Sequence, residues 1–218
     1  MPSYTPSNIP GDTTLLDFRA TVDNLGAPAK NCRFAIQILP AGPNNFLTAL
    51  GYTGILRDLQ YLCEAAELPG RGFEYMEGRY YGPSFMLPYN TKYTNEFSVS
   101  IITRQSAYER QMFDDWLEVI NPTNSFDLNY SDNYYCTIKV FQLSEFPSDA
   151  QVKAAGGRMP TKAQASYLWE LRDAWPFQVN PQPVTWADND VLRLNVTFAY
   201  RYWRRPGRDS EASGTTLI

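Results

Sequence analysis

Asp190-Val191-Leu192-Arg193-Leu194-Asn195-Val196-Thr197-Phe198-Ala199-Tyr200-Arg201-Tyr202-Trp203 carries the clearest structural signal in the chain. Leu192, Leu194, Val196, Phe198, Tyr200 and Tyr202 fall on one parity, and Arg193, Asn195, Thr197 and Arg201 on the other. Strict period-two alternation predicts a strand with one apolar and one polar face. From Val191 to Trp203 it would reach about 40 Å at roughly 3.3 Å per residue. A strand that long needs partners on both edges, or a second copy of the chain to pair with.

Outward from this stretch, several shorter strands are predicted. In Asn31 to Leu39, Cys32, Phe34, Ile36 and Ile38 alternate with Arg33, Ala35 and Gln37, and Pro40 to Pro43 stop the run. Glu96 to Thr103 places Phe97, Val99 and Ile101 on one face, and Tyr134 to Phe141 does the same with Cys136, Ile138 and Val140. Residues 71–90 read as two short strands around a loop at Gly78 to Pro83. Tyr167 to Trp175 leans to strand, and Trp175-Pro176 to Asp190 reads as a turn-rich bridge. Residues 44–67 read as mainly helical or irregular, with a strand over Tyr61 to Ala66 as the alternative. One helix is clear over 106–120. Ser106 and Glu109 have the spacing of a capping box, and Tyr108, Met112, Phe113, Trp116, Leu117 and Ile120 form a stripe at helical spacing. Strands therefore dominate, and the fold class expected is mainly β: a sandwich or barrel with one flanking α-helix and loop insertions.

The 218 residues are enough to bury a real core. Lys and Arg number 19 against 23 Asp and Glu, a net charge of -4, so tight binding to nucleic-acid phosphates is not expected. Positive charge gathers only at Arg201, Arg204, Arg205 and Arg208. Aromatic residues make up 15%, with 15 Tyr, a composition that suits either a tyrosine-rich core or surfaces that become buried on assembly. Cys32, Cys63 and Cys136 lack metal-ligand spacing; Cys32 and Cys136 are expected as buried free thiols, as in a reducing cytoplasm. Pro2, Pro6 and Pro10 interrupt the first residues, so no signal peptide is expected, and no run is long enough to predict a membrane helix.

The chain has no histidine. That removes the commonest general base, the Ser/His/Asp triad and Cys/His nucleophile pairs. No phosphate-binding glycine loop is present; Gly70-Arg71-Gly72 is too short. Asp114 and Asp115, adjacent on the predicted helix, point about 100° apart and do not converge as a hydrolase pair would. Asp188-Asn189-Asp190 lacks the glycine and bidentate acid of a calcium loop and reads as a turn. The sequons at Asn129 and Asn195 read as chance matches. No catalytic, cofactor-binding or metal residue is therefore assigned, no cofactor is expected, and the chain is read as a non-enzyme.

The second half resembles the C-terminal signature of the contractile-tail phage tube proteins. The resemblance rests on Trp175-Pro176 with Val179, on Val184-Thr185-Trp186, on Asp188-Asn189-Asp190, and on Asn195 to Trp203 in that order. Upstream, Cys63 with Leu68-Pro69-Gly70 is similar to that family's strand end. Glu96 to Thr103, followed by a helix bearing Phe113, Asp115 and Trp116, is similar to its central strand–helix unit. The resemblance implies a β-sandwich or barrel, hexameric rings whose inner sheets join into a continuous barrel, and stacked rings that conduct DNA during ejection. It implies sheath and baseplate proteins as partners, a place in the virion tail after synthesis in the host bacterial cytoplasm, and no membrane. Type VI secretion tubes and baseplate tube initiators share the fold. A mildly acidic lumen would let DNA slide without sticking. This chain departs from simple shaft proteins in three places: an extended arm over 1–30 bearing Leu15, Leu16 and Phe18, an extra segment over 44–60 and an insert over 144–165. The tube-like domain is expected over 31–203, with a flexible tail over 204–218. These additions suit a baseplate-proximal initiator or adaptor ring as well as an elaborated shaft ring. A monomeric carbohydrate-binding sandwich and a virion hydrolase are the competing readings.

Overall fold

A computed structural model describes residues 29–43, 45–144, 164–187 and 189–206. Most of the expected arm, the centre of the 144–165 insert and the tail after residue 206 lie outside the described residues, as does Asp188. The chain divides into two compact units, Met1–Arg33 with Leu143–Ala165, and Phe34–Gln142 with Ser166–Ile218. In the first, the Leu143 N–H donates to the Arg33 carbonyl at 2.9 Å.

The second unit holds the core. Its strands are β1 (Phe34–Pro40), β2 (Cys63–Ala66), β3 (Arg71–Gly78), β4 (Phe85–Tyr93), β5 (Glu96–Ile102), β6 (Cys136–Ser144), β7 (Gln164–Val179), β8 (Arg193–Ala199) and β9 (Tyr202–Arg204). Its helices are α1 (Phe46–Ala49), α2 (Thr53–Leu62), α3 (Tyr108–Ile120) and α4 (Ser131–Tyr134). Seven strands form one sheet in the order β1-β6-β7-β8-β5-β2, with β9 beside β7; β3 and β4 form a separate two-stranded sheet. The mainly β expectation therefore holds.

Period-two alternation builds the core as the sequence implies. Leu194, Val196 and Phe198 of β8 are buried beside Phe97, Val99 and Ile101 of β5, with Val99 opposite Val196 and Phe97 opposite Phe198. Ile36, Ile38 and Ile138 from β1 and β6 line the same interior gap as Phe97, Val99, Ile101 and Phe198, so the two halves of the sheet face each other across one core. Phe198 joins sheet to helix. It is 1% exposed, and its ring centroid lies 6.0 Å from Phe113, 6.1 Å from Trp116 and 6.4 Å from Phe97. The Trp116 indole N–H donates to the Tyr134 carbonyl at 3.0 Å, which pairs its one polar atom. In the segment after residue 44, Asn45 caps α1 through Leu47, and Leu47, Leu56 and Leu59 enter the core.

Several local expectations are corrected. The stretch Val191 to Trp203 is two strands, not one. The Tyr200 N–H turns to the Asn95 carbonyl and the Arg201 N–H to the Arg172 carbonyl, so the chain leaves β5 and continues as β9 along β7. Val191 and Leu192 are exposed, beyond the last β5–β8 pair Ile102↔Arg193. Trp175 to Val179 is not a turn-rich bridge but the end of β7, paired with β8 from Trp175↔Ala199 to Val179↔Val196. Pro176 is tolerated because the register shifts between Pro176 and Gln178, where a missing N–H is not needed. The first strand begins at Phe34, after a turn, and Cys32 is exposed instead of buried. Tyr61 and Leu62 end α2, and only Cys63 to Ala66 are strand.

The helix over 106–120 begins at Tyr108 without the expected capping box. Ala107 occupies the cap with φ 51°, and no side chain caps the helix. Glu109 instead turns inward, fully buried. Its carboxylate accepts from the Arg104 N–H at 3.3 Å and pairs with the Arg104 guanidinium, which also reaches Asp58 at 3.0 Å. Tyr108, expected in the buried stripe, is exposed.

Candidate functional site

The outer face of β2, β5 and β8 carries the polar parity. Ser98, Ser100, Asn195 and Thr197 line a shallow groove of about 320 Å³ together with Ala65 and Glu67. Ser98 and Thr197 face each other across the strands with hydroxyls 3.4 Å apart. At one end of this face Arg193 bonds Glu64 at 2.6 Å and Asp190 at 2.9 Å. The Glu64 carboxylate, and then Asp190, hold the guanidinium firmly charged. The Val191 N–H, and secondly Arg193, hold the Asp190 carboxyl below the usual carboxylate range. The face is thus small, neutral and hydroxylated, with its strongest charges paired within the chain. Among the described residues, β2 ends the sheet with one edge unpaired, as β1 does at the other end.

The second feature is the β3–β4 hairpin. Among the described residues its strands pair only with each other, from Arg71↔Tyr93 to Gly78↔Phe85. Phe73, Tyr75, Met76, Met86, Leu87 and Tyr89 are all exposed on it. At its tip Tyr80 stacks on Phe85 at 5.7 Å, and a Cβ on Gly78 would approach the Phe85 ring to 2.9 Å, so a larger residue there would displace the ring. Asn90 and then Tyr89 donate to Glu74 and hold its carboxyl below the usual range. An isolated two-stranded ribbon is marginal in water, and open edges with a large apolar patch mark a surface that becomes covered.

Register fixes where the hairpin sits. β5 and β8 pair from Glu96↔Ala199 to Ile102↔Arg193. The hairpin leaves the sheet at the Glu96 end, where Gly70 and Thr94 bond each other and the Trp203 indole donates to the Gly70 carbonyl. Residues 181–187 project from the opposite end, where Gln182 bonds Thr103 and the Arg193 carbonyl. Val184 and Trp186 are exposed there, Trp186 completely at 107%. The full extent of the hairpin and the exposure of Trp186 were not readable from sequence, because apolar residues at these positions fit a core equally well.

The acidic and basic residues weighed for chemistry do not converge. Asp114 pairs with Arg110 at 2.9 Å, one turn away on α3. Asp115 accepts from the Tyr52 hydroxyl, which is pushed up to about 12 by that hydrogen bond first and burial second. Arg201 lies 3.6 Å from Asp173, and Arg204 bonds the buried Glu170 at 2.9 Å, so these arginines serve β7; Arg208 lies outside the described residues. Among the described residues no group of three or more His, Cys, Asp or Glu could hold a metal ion.

The fold is mainly β, with a polar sheet face and a projecting hairpin, and it is shared with several solved structures. The chain is similar to a chain of the anti-feeding prophage baseplate (TM-score 0.53, 13% identity, covering 85% of this chain and 99% of that one). It is similar to a chain of the sheath–tube complex of the extracellular contractile injection system PVC (TM-score 0.52, 14% identity, 85% and 95% covered). A chain of the PVC sheath/tube terminator gives TM-score 0.53 at 15% identity, with 83% and 98% covered. At these identities the likeness is one of fold. No curated protein matches the chain in sequence. The chain belongs to the phage tail tube protein family, whose model matches residues 29–206.

Proposed function

We propose that six copies of this chain close into a ring of the inner tube of a contractile phage tail, and that stacked rings conduct DNA during ejection. The observation that carries this reading is the sheet β7-β8-β5-β2, polar on its outer face and unpaired at β2. A strand edge left open is an association site, and a heterologous contact repeated about an axis closes into a ring. The free edge of β2 meets the sheet of the next copy, and Ser98, Ser100, Asn195 and Thr197 face the lumen. Glu64 and Asp190 neutralise Arg193 there, so DNA phosphates meet no unpaired cluster of positive charge and slide. Sheath and baseplate proteins are the partners, the virion tail is the location after synthesis in the host cytoplasm, and the role is structural and not enzymatic.

Sedimentation of the purified protein tests this: the expected species is six times the 24.9 kDa chain, or a polymer of it. A monomer at high concentration would overturn it. The alternative within the family is a baseplate-proximal initiator or adaptor ring, which the additions over 1–30, 44–60 and 144–165 would suit as well as they suit an elaborated shaft ring. Long tubes from the purified protein would favour the shaft reading, and single rings the adaptor reading.

A further inference from the structure

Taken alone, β2 makes an ill-defined edge. It is four residues long, follows α2 without a loop, and pairs with β5 through Cys63↔Ile101, Ala65↔Ser100 and Ala66↔Val99. The register shifts between Cys63 and Ala65, which leaves Glu64 as the extra residue of a bulge. A bulge bends and twists a strand, a device that turns open edges away from other chains. Register is also weakly specified where little is buried on either face, and Glu64 and Ala65 are both exposed.

Glu64 is nevertheless fixed. Its carboxylate accepts from the Arg193 Nε–H at 2.6 Å and from Nη2 at 3.4 Å, a two-point grip. Arg193 belongs to β8, and β8 and β2 flank β5 on opposite sides. The contact therefore straps two strand spacings, about 10 Å, over the outer face of the sheet. The guanidinium is braced in turn, since Nη1 donates to the Asp190 carboxylate at 2.9 Å and to the Val191 carbonyl at 3.3 Å. All three charged side chains are well exposed, and exposed ion pairs add little to folding. The effect of this network is on where Glu64, and with it the edge, is held.

We infer that Arg193 is a positioning residue for ring closure: through Glu64 it fixes the bulge of β2, and so sets the register in which the free edge of β2 receives a strand of the next copy. Asp190 and the Val191 carbonyl aim the guanidinium, and its planar fork grips both carboxylate oxygens of Glu64, which the single ammonium of a lysine does not match. Every copy in a closed ring presents the same edge, so a small displacement at each joint accumulates around the ring and prevents closure. Without the strap the subunit folds, but it forms open or irregular oligomers in place of closed rings.

This inference rests on the ring reading, and the experiment separates the two. Full-length wild type, Arg193→Met, Arg193→Lys, Glu64→Gln and the double variant Arg193→Met with Glu64→Gln are compared. Each is melted at a concentration too low for wild-type rings and imaged by negative stain across a concentration series. The expected result is matched melting midpoints, with half-maximal ring formation moved to roughly tenfold higher concentration in Arg193→Met and Glu64→Gln. Arg193→Lys should fall between these and the wild type. The double variant should be no worse than either single change, because both remove one contact. Arg201→Met, which removes an exposed ion pair with Asp173, should form rings as the wild type does. Should Arg193→Met fold poorly, Glu64→Gln carries the test, since it breaks the same contact and leaves Arg193 with Asp190. Closed rings at the wild-type concentration from Glu64→Gln, additive losses in the double variant, or an equal loss in Arg201→Met would overturn the positioning role and leave the rings standing. Melting midpoints that fall in both single variants would make the strap a folding contact and overturn it likewise. A wild type that forms no rings would overturn both readings.

Discussion

Replacing Arg104 with methionine should be one of the most damaging single changes away from the aromatic core. Glu109 is fully buried at the first turn of α3, and its carboxylate is met by the Arg104 guanidinium and N–H. Removing one partner of a buried ion pair strands the other charge, at about 3–5 kcal/mol. The Arg104 side chain is 38% exposed, so water can reach part of the vacated space. The expected loss is therefore smaller than for a pair buried on both sides, but still the largest of the three changes compared. Ser106→Ala should be close to neutral, because no side chain caps this helix; a working cap would cost about 1 kcal/mol. Ala107→Gly should gain about 0.5–1 kcal/mol, since φ 51° is a conformation glycine adopts without strain. Urea denaturation at matched protein concentration reads all three as midpoint shifts at constant slope. A larger loss from Ser106→Ala than from Arg104→Met would refute the reasoning and restore the capping box.

Three further outcomes are expected. Phe198→Ala should cost about 3–5 kcal/mol by calorimetry or denaturant melts, because it empties the contact among Phe97, Phe113 and Trp116; a loss under about 1 kcal/mol would mean the sheet–helix joint lies elsewhere. Tyr52 is raised to about 12 by its bond to Asp115, so that bond's contribution is fully present below pH 10 and lost as pH rises through about 12. Tyr52→Phe should thus be less stable by about 1 kcal/mol at pH 7, with the difference shrinking between pH 10 and 12; a difference that grows with pH would contradict this. Of the three thiols, Cys32 is exposed, Cys63 is pushed up to about 12 mainly by burial, and Cys136 is buried and raised well above its ordinary value. A thiol reagent at pH 8 should label one cysteine quickly and the others only on unfolding.

Periodicity was the reliable part of the sequence. Leu194, Val196 and Phe198, with Phe97, Val99 and Ile101, could be placed in the core because a pleated strand half-buried on one face leaves no other arrangement for them. Strand ends were not legible, because they depend on the partner: β8 ends where Tyr200 and Arg201 change carbonyl acceptors, which alternation does not encode. Pro176 looked like a breaker because its tolerance rests on a register shift made by β8. Ser106 and Glu109 had the spacing of a cap, but spacing carries no information about Arg104 and Asp58, whose charges draw Glu109 inward. The exposed apolar residues could not be told from buried ones, since Met76, Leu87 and Trp186 would look the same in sequence either way.

The most direct test of the central claim is negative-stain electron microscopy of the purified full-length protein across a concentration series. The account predicts six-fold rings with a central channel, passing into stacked tubes as concentration rises. Dispersed single chains at every concentration, with no ring in any class average, would contradict it.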